Sequence, residues 1–196
     1  MKRRTALCWL ALSSSAAGAD TLDALRAGRV AVLLRHAETD PGAGDPPGFR
    51  LEACSTQRNL SEAGRAQSRR IGAWFAARQL VPVKVRTSPW CRCIDTARLA
   101  FGSAEIWPPL ASTFADPQRR EPQSAALADA LVALPARGFE VWVTHQVNVG
   151  ALTGAALPMG HALVVRGERG ADGSVAIRIL DGDAGRFAAL PGERLR

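Results

Sequence analysis

Two short apolar runs each lead into a histidine. Val30-Ala31-Val32-Leu33-Leu34 passes through Arg35 to His36, and Val141-Trp142-Val143-Thr144 reaches His145 directly. The chain has only 3 histidines, so two of them stand at the ends of segments that read as buried strands. In open α/β sheets ligands bind beyond the carboxyl ends of the strands, which is where these two side chains would emerge. An arginine beside one of them points to an anionic group, and phosphate is the natural candidate. A phosphoryl group in transfer carries distributed negative charge, so catalysis is mostly positioning and stabilisation by cations around its oxygens. A neutral imidazole can act as the nucleophile and hold a covalent intermediate. Arginine suits the second task because its planar fork takes two oxygens and keeps its charge. Arg35, His36, Arg92 and His145 are the residues of the right types. Helix N-termini after Ser88 and after His145 would add backbone N–H donors.

The elements that must position these groups alternate. An amphipathic segment from Thr21 to Arg26 ends at Gly28, and the first strand follows. Residues 40–49 hold Pro41, Gly42, Gly44, Pro46, Pro47 and Gly48, a density of breakers that makes a loop. It lies just beyond His36, so a place on the rim of the site is expected for it. A helix follows with Ser61 as N-cap and Ala63, Ala66, Ile71, Trp74 and Phe75 facing inward. Val81 to Val85 reads as a second strand, and Thr87-Ser88-Pro89 as a helix start with Ser88 capping and Pro89 in the first turn. That helix carries Arg92 and Thr96. Glu105 to Trp107 reads as a short strand, Ala111 to Pro122 as irregular, and Ser124 to Leu134 as a helix. Phe139 to Thr144 is the strand ending at His145, with a helix over Val147 to Ala155. Two last strands, Ala162–Arg166 and Val175–Leu180, flank the turn residues Gly170-Ala171-Asp172-Gly173. Strands alternating with helices give an α/β domain: three layers, a mostly parallel central sheet and helices on both faces.

The ends and the composition narrow the setting. Lys2-Arg3-Arg4, the apolar stretch Thr5 to Leu12 and Ala17-Gly18-Ala19 together form the pattern of an export signal cleaved after Ala19. Residues 1–19 are then the signal and residues 20–196 one domain, in the periplasm or secreted. The apolar stretch is shorter than the roughly 20 residues of a membrane span, so no stable membrane insertion is expected. Loss of Lys2, Arg3 and Arg4 takes the formal charge from +7 to +4. No basic run with interleaved aromatics is present, which argues against nucleic acid as a partner. Cys8 belongs to the signal, leaving Cys54, Cys91 and Cys93. In an oxidising compartment cysteines tend to pair. Cys91 and Cys93 lie two apart on a helix and point apart, so a bridge from Cys54 to one or the other is expected.

At this point the motifs resemble a known family. Leu34-Arg35-His36-Ala37-Glu38-Thr39 is similar to the Arg-His-Gly-Glu-Thr signature of the histidine phosphatase superfamily, the phosphoglycerate mutase-like proteins. Asn59-Leu60-Ser61-Glu62-Ala63-Gly64-Arg65-Ala66-Gln67 resembles the helix start that follows it there. Thr87-Ser88-Pro89-Trp90-Cys91-Arg92-Cys93-Ile94-Asp95-Thr96-Ala97 resembles the Ser-Ser-Pro-x-x-Arg-Ala-x-x-Thr-Ala segment, and Val143-Thr144-His145 the Val-Ser-His that delivers the second histidine. The four motifs stand in family order over most of residues 30–154. The resemblance implies a phosphoglycerate mutase-like fold and a metal-independent phosphohydrolase with no cofactor. His36 would be the phosphorylated nucleophile, and Arg35, Arg92 and His145 would line the phosphate pocket, with Arg58 as a further phosphate contact.

The departures bear on the proton donor. Ala37 replaces the usual Gly, and Gln146 stands after His145 where the phytase and acid-phosphatase branch has Asp. No Glu occupies the mutase position near Ser112, which leaves Asp116 as the candidate acid and Glu38 as the second. The expected substrate is a phosphomonoester or related phosphoryl compound of the cell envelope, on a small molecule or a phosphoprotein. A non-catalytic phosphate-binding envelope module and, behind it, a phosphomutase are the rival readings. His161 is expected to be surface or structural, Arg119-Arg120 a solvated pair, and Trp90 and Trp142 core.

Overall fold

The computed structural model describes residues 16–181. Residues 1–15 of the expected signal, Cys8 among them, lie outside the described residues. The described chain runs α1 (Ala16–Ala27), β1 (Val30–Arg35), α2 (Glu62–Ala76), β2 (Lys84–Thr87), α3 (Cys91–Phe101), β3 (Glu105–Ile106), α4 (Arg120–Val132), β4 (Phe139–Thr144), α5 (Gln146–Thr153), β5 (Ala162–Arg169) and β6 (Val175–Asp181). The strands form one six-stranded sheet in the order β3-β2-β4-β1-β5-β6. The pairs from β3 to β1 are parallel, and β5 and β6 add an antiparallel edge. The α/β class, the three layers and the mostly parallel sheet are therefore present.

Both faces of the sheet are covered, which is why its central strands read as unbroken apolar runs rather than alternating ones. Successive side chains of a strand point to opposite faces. Val30, Val32 and Leu34 accordingly join Val141 and Val143 against Ile71 and Phe75 of α2, with Leu25 of α1 and Ala97 of α3. Ala31, Leu33 and Trp142 go the other way, onto Leu127 and Leu131 of α4 and Val149 of α5. Burying one such large apolar side chain stabilises the fold by about 1.5–3 kcal/mol. The β1–β4 register pairs Arg35 with Thr144, so the next residue of each strand is a histidine at the same edge.

Four local expectations need correction. The second strand lies at Lys84–Thr87, not Val81–Val85; Val81 and Val83 are exposed, and the register Val85↔Val141 places the strand. Pro82 has no N–H to give a neighbour, so the apolar residues around it form a connector. Ser88 does not cap α3; Trp90 holds the N-cap position without a side-chain bond, and Pro89 precedes the helix. The inward stripe of α2 is Gly64, Ser68, Ile71 and Phe75, with Ala63 exposed. The helix begins four residues earlier than expected at α4, where Pro122 fits the first turn because its missing N–H needs no partner there. Ser61 is the N-cap of α2 as expected, accepting the Gly64 N–H at 3.0 Å.

Gly64 shows why α2 rotates as it does. A Cβ there would lie 1.8 Å from the backbone oxygen of Glu38, two residues past His36. A side chain pointing inward at this position would push the loop after β1 off the helix. The bridge expected from Cys54 goes to Cys91 and spans 37 residues, while Cys93 stays a buried free thiol. Closing a loop of that length stabilises the fold by about 3–4 kcal/mol if the effect is chain entropy. The Gly64→Ala variant should lose about 1–3 kcal/mol despite the better helix propensity of alanine, because the clash outweighs it. Urea unfolding checks this: the midpoint falls with an unchanged m-value.

Candidate active site

His36 and His145 are the first residues beyond β1 and β4, and the His36 N–H continues the ladder by donating to the Thr144 carbonyl at 2.9 Å. Both side chains are buried, and their rings meet edge to face with centroids 5.5 Å apart. His36 Nδ1 lies 2.9 Å from the Ala37 carbonyl oxygen. A carbonyl only accepts, so Nδ1 carries the proton and Nε2 keeps a lone pair. His145 Nε2 lies 2.7 Å from Ser88 Oγ and 3.5 Å from Cys93 Sγ. The Ser88 hydroxyl is thus used to hold an imidazole, which is the physical reason it does not cap α3.

Three arginines surround the pair. Arg35, at the end of β1, donates from Nη1 to the Leu157 carbonyl, and its Nε is buried without a partner. Arg92 lies in the first turn of α3 and is only 3% exposed. Its Nη1 and Nη2 reach Asp45 Oδ1 and Oδ2 at 2.7 and 3.3 Å, while its Nε is also buried and unpaired. Arg58 donates from Nε to the Gly44 carbonyl at 2.8 Å and from Nη1 to Thr39 Oγ1. The disulfide ties the turn before Arg58 to the residue before Arg92, and the Gln57 side chain accepts the Cys91 N–H at 3.0 Å. Guanidinium groups pre-set around two imidazoles suit a tetrahedral oxyanion.

Sequence reasoning placed His36, His145, Arg35, Arg92 and Arg58 together, and the fold brings them to one edge. Asp116 is not among them: it is exposed at the head of a 3-10 turn and makes no side-chain cap bond. Glu38 is exposed as well. Asp45 was missed, although it is one of two acids in the Gly/Pro loop with Asp40, and through it that loop borders the site. Its carboxylate also accepts from Trp90 Nε1 at 2.9 Å and from the Arg58 N–H at 3.1 Å. Trp90 is consequently half-buried in the wall of the site, with its ring 5.3 Å from that of His145, rather than in the core. Trp142 is core as expected. His161 is half-buried at the start of β5, where its backbone oxygen takes the Arg35 N–H. Arg119 and Arg120 are exposed.

Residues 31–111 match the family model of the histidine phosphatase superfamily, branch 1. Over that stretch the chain resembles this family. No curated protein matches it in sequence. Among solved structures it is similar to the protein histidine phosphatase SixA complexed with tungstate, at 20% identity over 76% of this chain and 94% of that one, TM-score 0.50. It is also similar to a mycobacterial glucosyl-3-phosphoglycerate phosphatase in complex with inorganic phosphate, at 18% identity over 82% and 100%, TM-score 0.59. A third similar structure is mycobacterial hydrolase 2, at 19% identity over 84% and 94%, TM-score 0.58. At these identities the likeness establishes the fold.

The electrostatics of this pocket follow from burial. Desolvation pushes His36 down to about 3, against the pull of its bond to Ala37 and aided by the charges of Arg92, Arg35 and Arg58. Desolvation also holds His145 well below its ordinary range, again with Arg92 adding. Arg35 is lowered by burial and by Arg58, and Arg58 by burial and by Arg92, so these cations oppose one another. Burial pushes the Cys93 thiol up to about 12, so it stays protonated and is no rival nucleophile.

A depressed histidine binds fewer protons folded than unfolded, so stability rises with pH through the window between the two values. The unfolded value is about 6.5 and the folded value of His36 about 3. The contribution is complete above the first and lost progressively as pH falls toward the second. The thermal midpoint should therefore drop steadily on acidification below about pH 6.5. A His36→Asn variant should show a shallower drop in the same calorimetric series.

Proposed function

We propose that this chain is a metal-independent phosphohydrolase that works through a phosphohistidine on His36. The observation that carries the reading is the arrangement of His36: Nδ1 anchored on the Ala37 carbonyl, Nε2 with a free lone pair, and the ring held neutral among three arginines. Two proteins of similar fold hold tungstate or inorganic phosphate, both tetrahedral oxyanions, which supports the same chemistry here.

In the proposed reaction Nε2 attacks phosphorus in line; an N–P bond forms as the P–O bond to the leaving group breaks. Arg35, Arg92, Arg58 and His145 hold the three non-bridging oxygens, whose charge is greatest in flight. Water then attacks the phosphohistidine, the N–P bond breaks, and His36 returns neutral with inorganic phosphate released. Asp116 is the proposed donor of the leaving-group proton, delivered by its exposed loop. A leaving group that needs little proton help, as in a phosphohistidine or another phosphoramidate, makes a smaller demand on that loop. The substrate class is thus a phosphomonoester or related phosphoryl compound, on a small molecule or a phosphoprotein.

Export to the cell envelope belongs to the proposal. The basic, apolar and small-residue pattern of residues 1–19 supports it, as does the Cys54–Cys91 disulfide, since such bonds persist in oxidising compartments. A second reading, a phosphate-binding module without turnover, is favoured by one observation: the buried cluster contains no carboxylate free to donate a proton, its single acid being ion-paired.

Hydrolysis of an aryl phosphate separates the readings. The intact chain should turn over, His36→Ala should abolish it, and Arg92→Ala should lower kcat/KM by roughly 10²–10³, the scale of losing one pre-set donor to a developing oxyanion. Undiminished activity in His36→Ala would overturn the nucleophile. Tight vanadate binding with no hydrolysis by the intact chain would establish the binding module instead.

A further inference from the structure

We propose that Asp45 is a positioning residue for Arg92: it grips one edge of the guanidinium and thereby presents the other edge to the phosphoryl group. This rests on the phosphoryl-pocket reading above. A guanidinium has two edges that can bind an oxyanion bidentately, the Nη1/Nη2 edge and the Nε/Nη2 edge. Asp45 takes the first, through Oδ1 on Nη1 at 2.7 Å and Oδ2 on Nη2 at 3.3 Å. The Arg58 carbonyl also accepts from Nη1 at 3.3 Å. Nε remains buried with no partner, and Asp45 uses only one of the two Nη2 hydrogens, so the Nε/Nη2 edge keeps a donor on each nitrogen. An unpaired buried donor of this kind is costly in a finished protein, and a ligand oxygen would satisfy it.

The obvious rival is that Asp45 merely occupies the place of the substrate phosphate and must leave when substrate arrives. Burial decides against it. The two side chains are 4% and 7% exposed. Departure of Asp45 would strand a buried carboxylate, or require the whole Gly/Pro loop to lift. The carboxylate is also held independently of Arg92, by Trp90 Nε1 and by the Arg58 N–H. Burial alone would raise its pKa, yet the Arg92 contact and these donors hold it below the ordinary carboxylate range, so it stays an anion. Its charge also offsets one of three mutually repelling cations. The loop that looked like a rim therefore supplies an internal counter-ion that aims the catalytic arginine.

Calorimetric titration with inorganic phosphate tests this in the full-length chain, comparing wild type, Asp45→Ala, Asp45→Asn, Arg92→Ala and the Arg92→Ala/Asp45→Ala double variant. Thermal midpoints are recorded for each. Asp45→Ala should bind phosphate about tenfold or more weakly, the scale of one misdirected charged hydrogen bond. Asp45→Asn, which keeps the size and one acceptor, should lose less. In the Arg92→Ala background removal of Asp45 should cause no further loss, because its effect runs through Arg92. Unchanged or tighter binding in the Asp45 variants would overturn the inference, whatever happens to the thermal midpoint. So would a further loss in the Arg92→Ala background. If Asp45→Ala fails to fold, Asp45→Asn decides by the same criterion. Failure of the wild-type chain to bind phosphate would be a different result: it would overturn the pocket reading itself, and this inference with it.

Discussion

Two imidazoles and three guanidinium groups share one buried edge of the sheet, and they repel any further positive charge. His36, His145 and Arg92 are buried and Arg35 and Arg58 half-buried, so water screens them less and the interaction is stronger than it would be at the surface. The consequences run through the whole site. Burial, with the arginine charges adding to it, drives both histidines neutral. The arginines are spread over a strand end, a loop and a helix start rather than one element, and each keeps a backbone or carboxylate acceptor. One internal carboxylate is tolerated, and an oxyanion with two negative charges would be welcomed. On the proposed reading, a neutral His36 beside fixed cations is the state that phosphoryl transfer to nitrogen needs, so the property that makes the pocket costly is the one that makes it useful.

Holding such groups together requires a rigid frame. The β1–β4 pairing sets the two histidines side by side, and the sheet is buried on both faces, so a one-residue slip of either strand would send each core side chain into the opposite, already packed face. Arg58 lies on irregular chain, where no ladder fixes it. The Cys54–Cys91 bridge and the Gln57–Cys91 bond take over that task and tie its loop to the helix bearing Arg92. Gly64 lets α2 press directly on the Glu38 carbonyl, which limits movement of the loop that follows His36.

Much of this was legible in the residues. The apolar runs of β1 and β4 are long and bounded, so their ends, and with them His36 and His145, could be located by pattern alone. Ser61 caps its helix because the bond its hydroxyl donates to the Glu38 carbonyl leaves the oxygen free to accept the Gly64 N–H. Ser88 has the same local credentials but lies beside a histidine 57 residues away, and a tertiary hydrogen bond won over the local one. Val81 to Val85 looked like a strand by composition, yet strand position is set by the neighbour it pairs with, which local pattern does not contain. Asp45 escaped notice for a related reason: its role comes from where a breaker-rich loop folds back, and such loops have no period to read. Asp116 was chosen because the resemblance puts the acid after the third strand and no Glu stands there, and the exposed loop holding it has no equivalent of the strand register that placed the histidines.

The central claim is that phosphorus is bonded to Nε2 of His36 during turnover. Quenching the chain with denaturant at alkaline pH during incubation with an aryl phosphate, then mapping the modified peptide by mass spectrometry, tests it directly. The account predicts a phosphoryl group on His36 that survives alkali, is lost in acid and builds up at the rate of product formation. Phosphate found on another residue, or steady hydrolysis with no phosphorylated protein at any time, would contradict it.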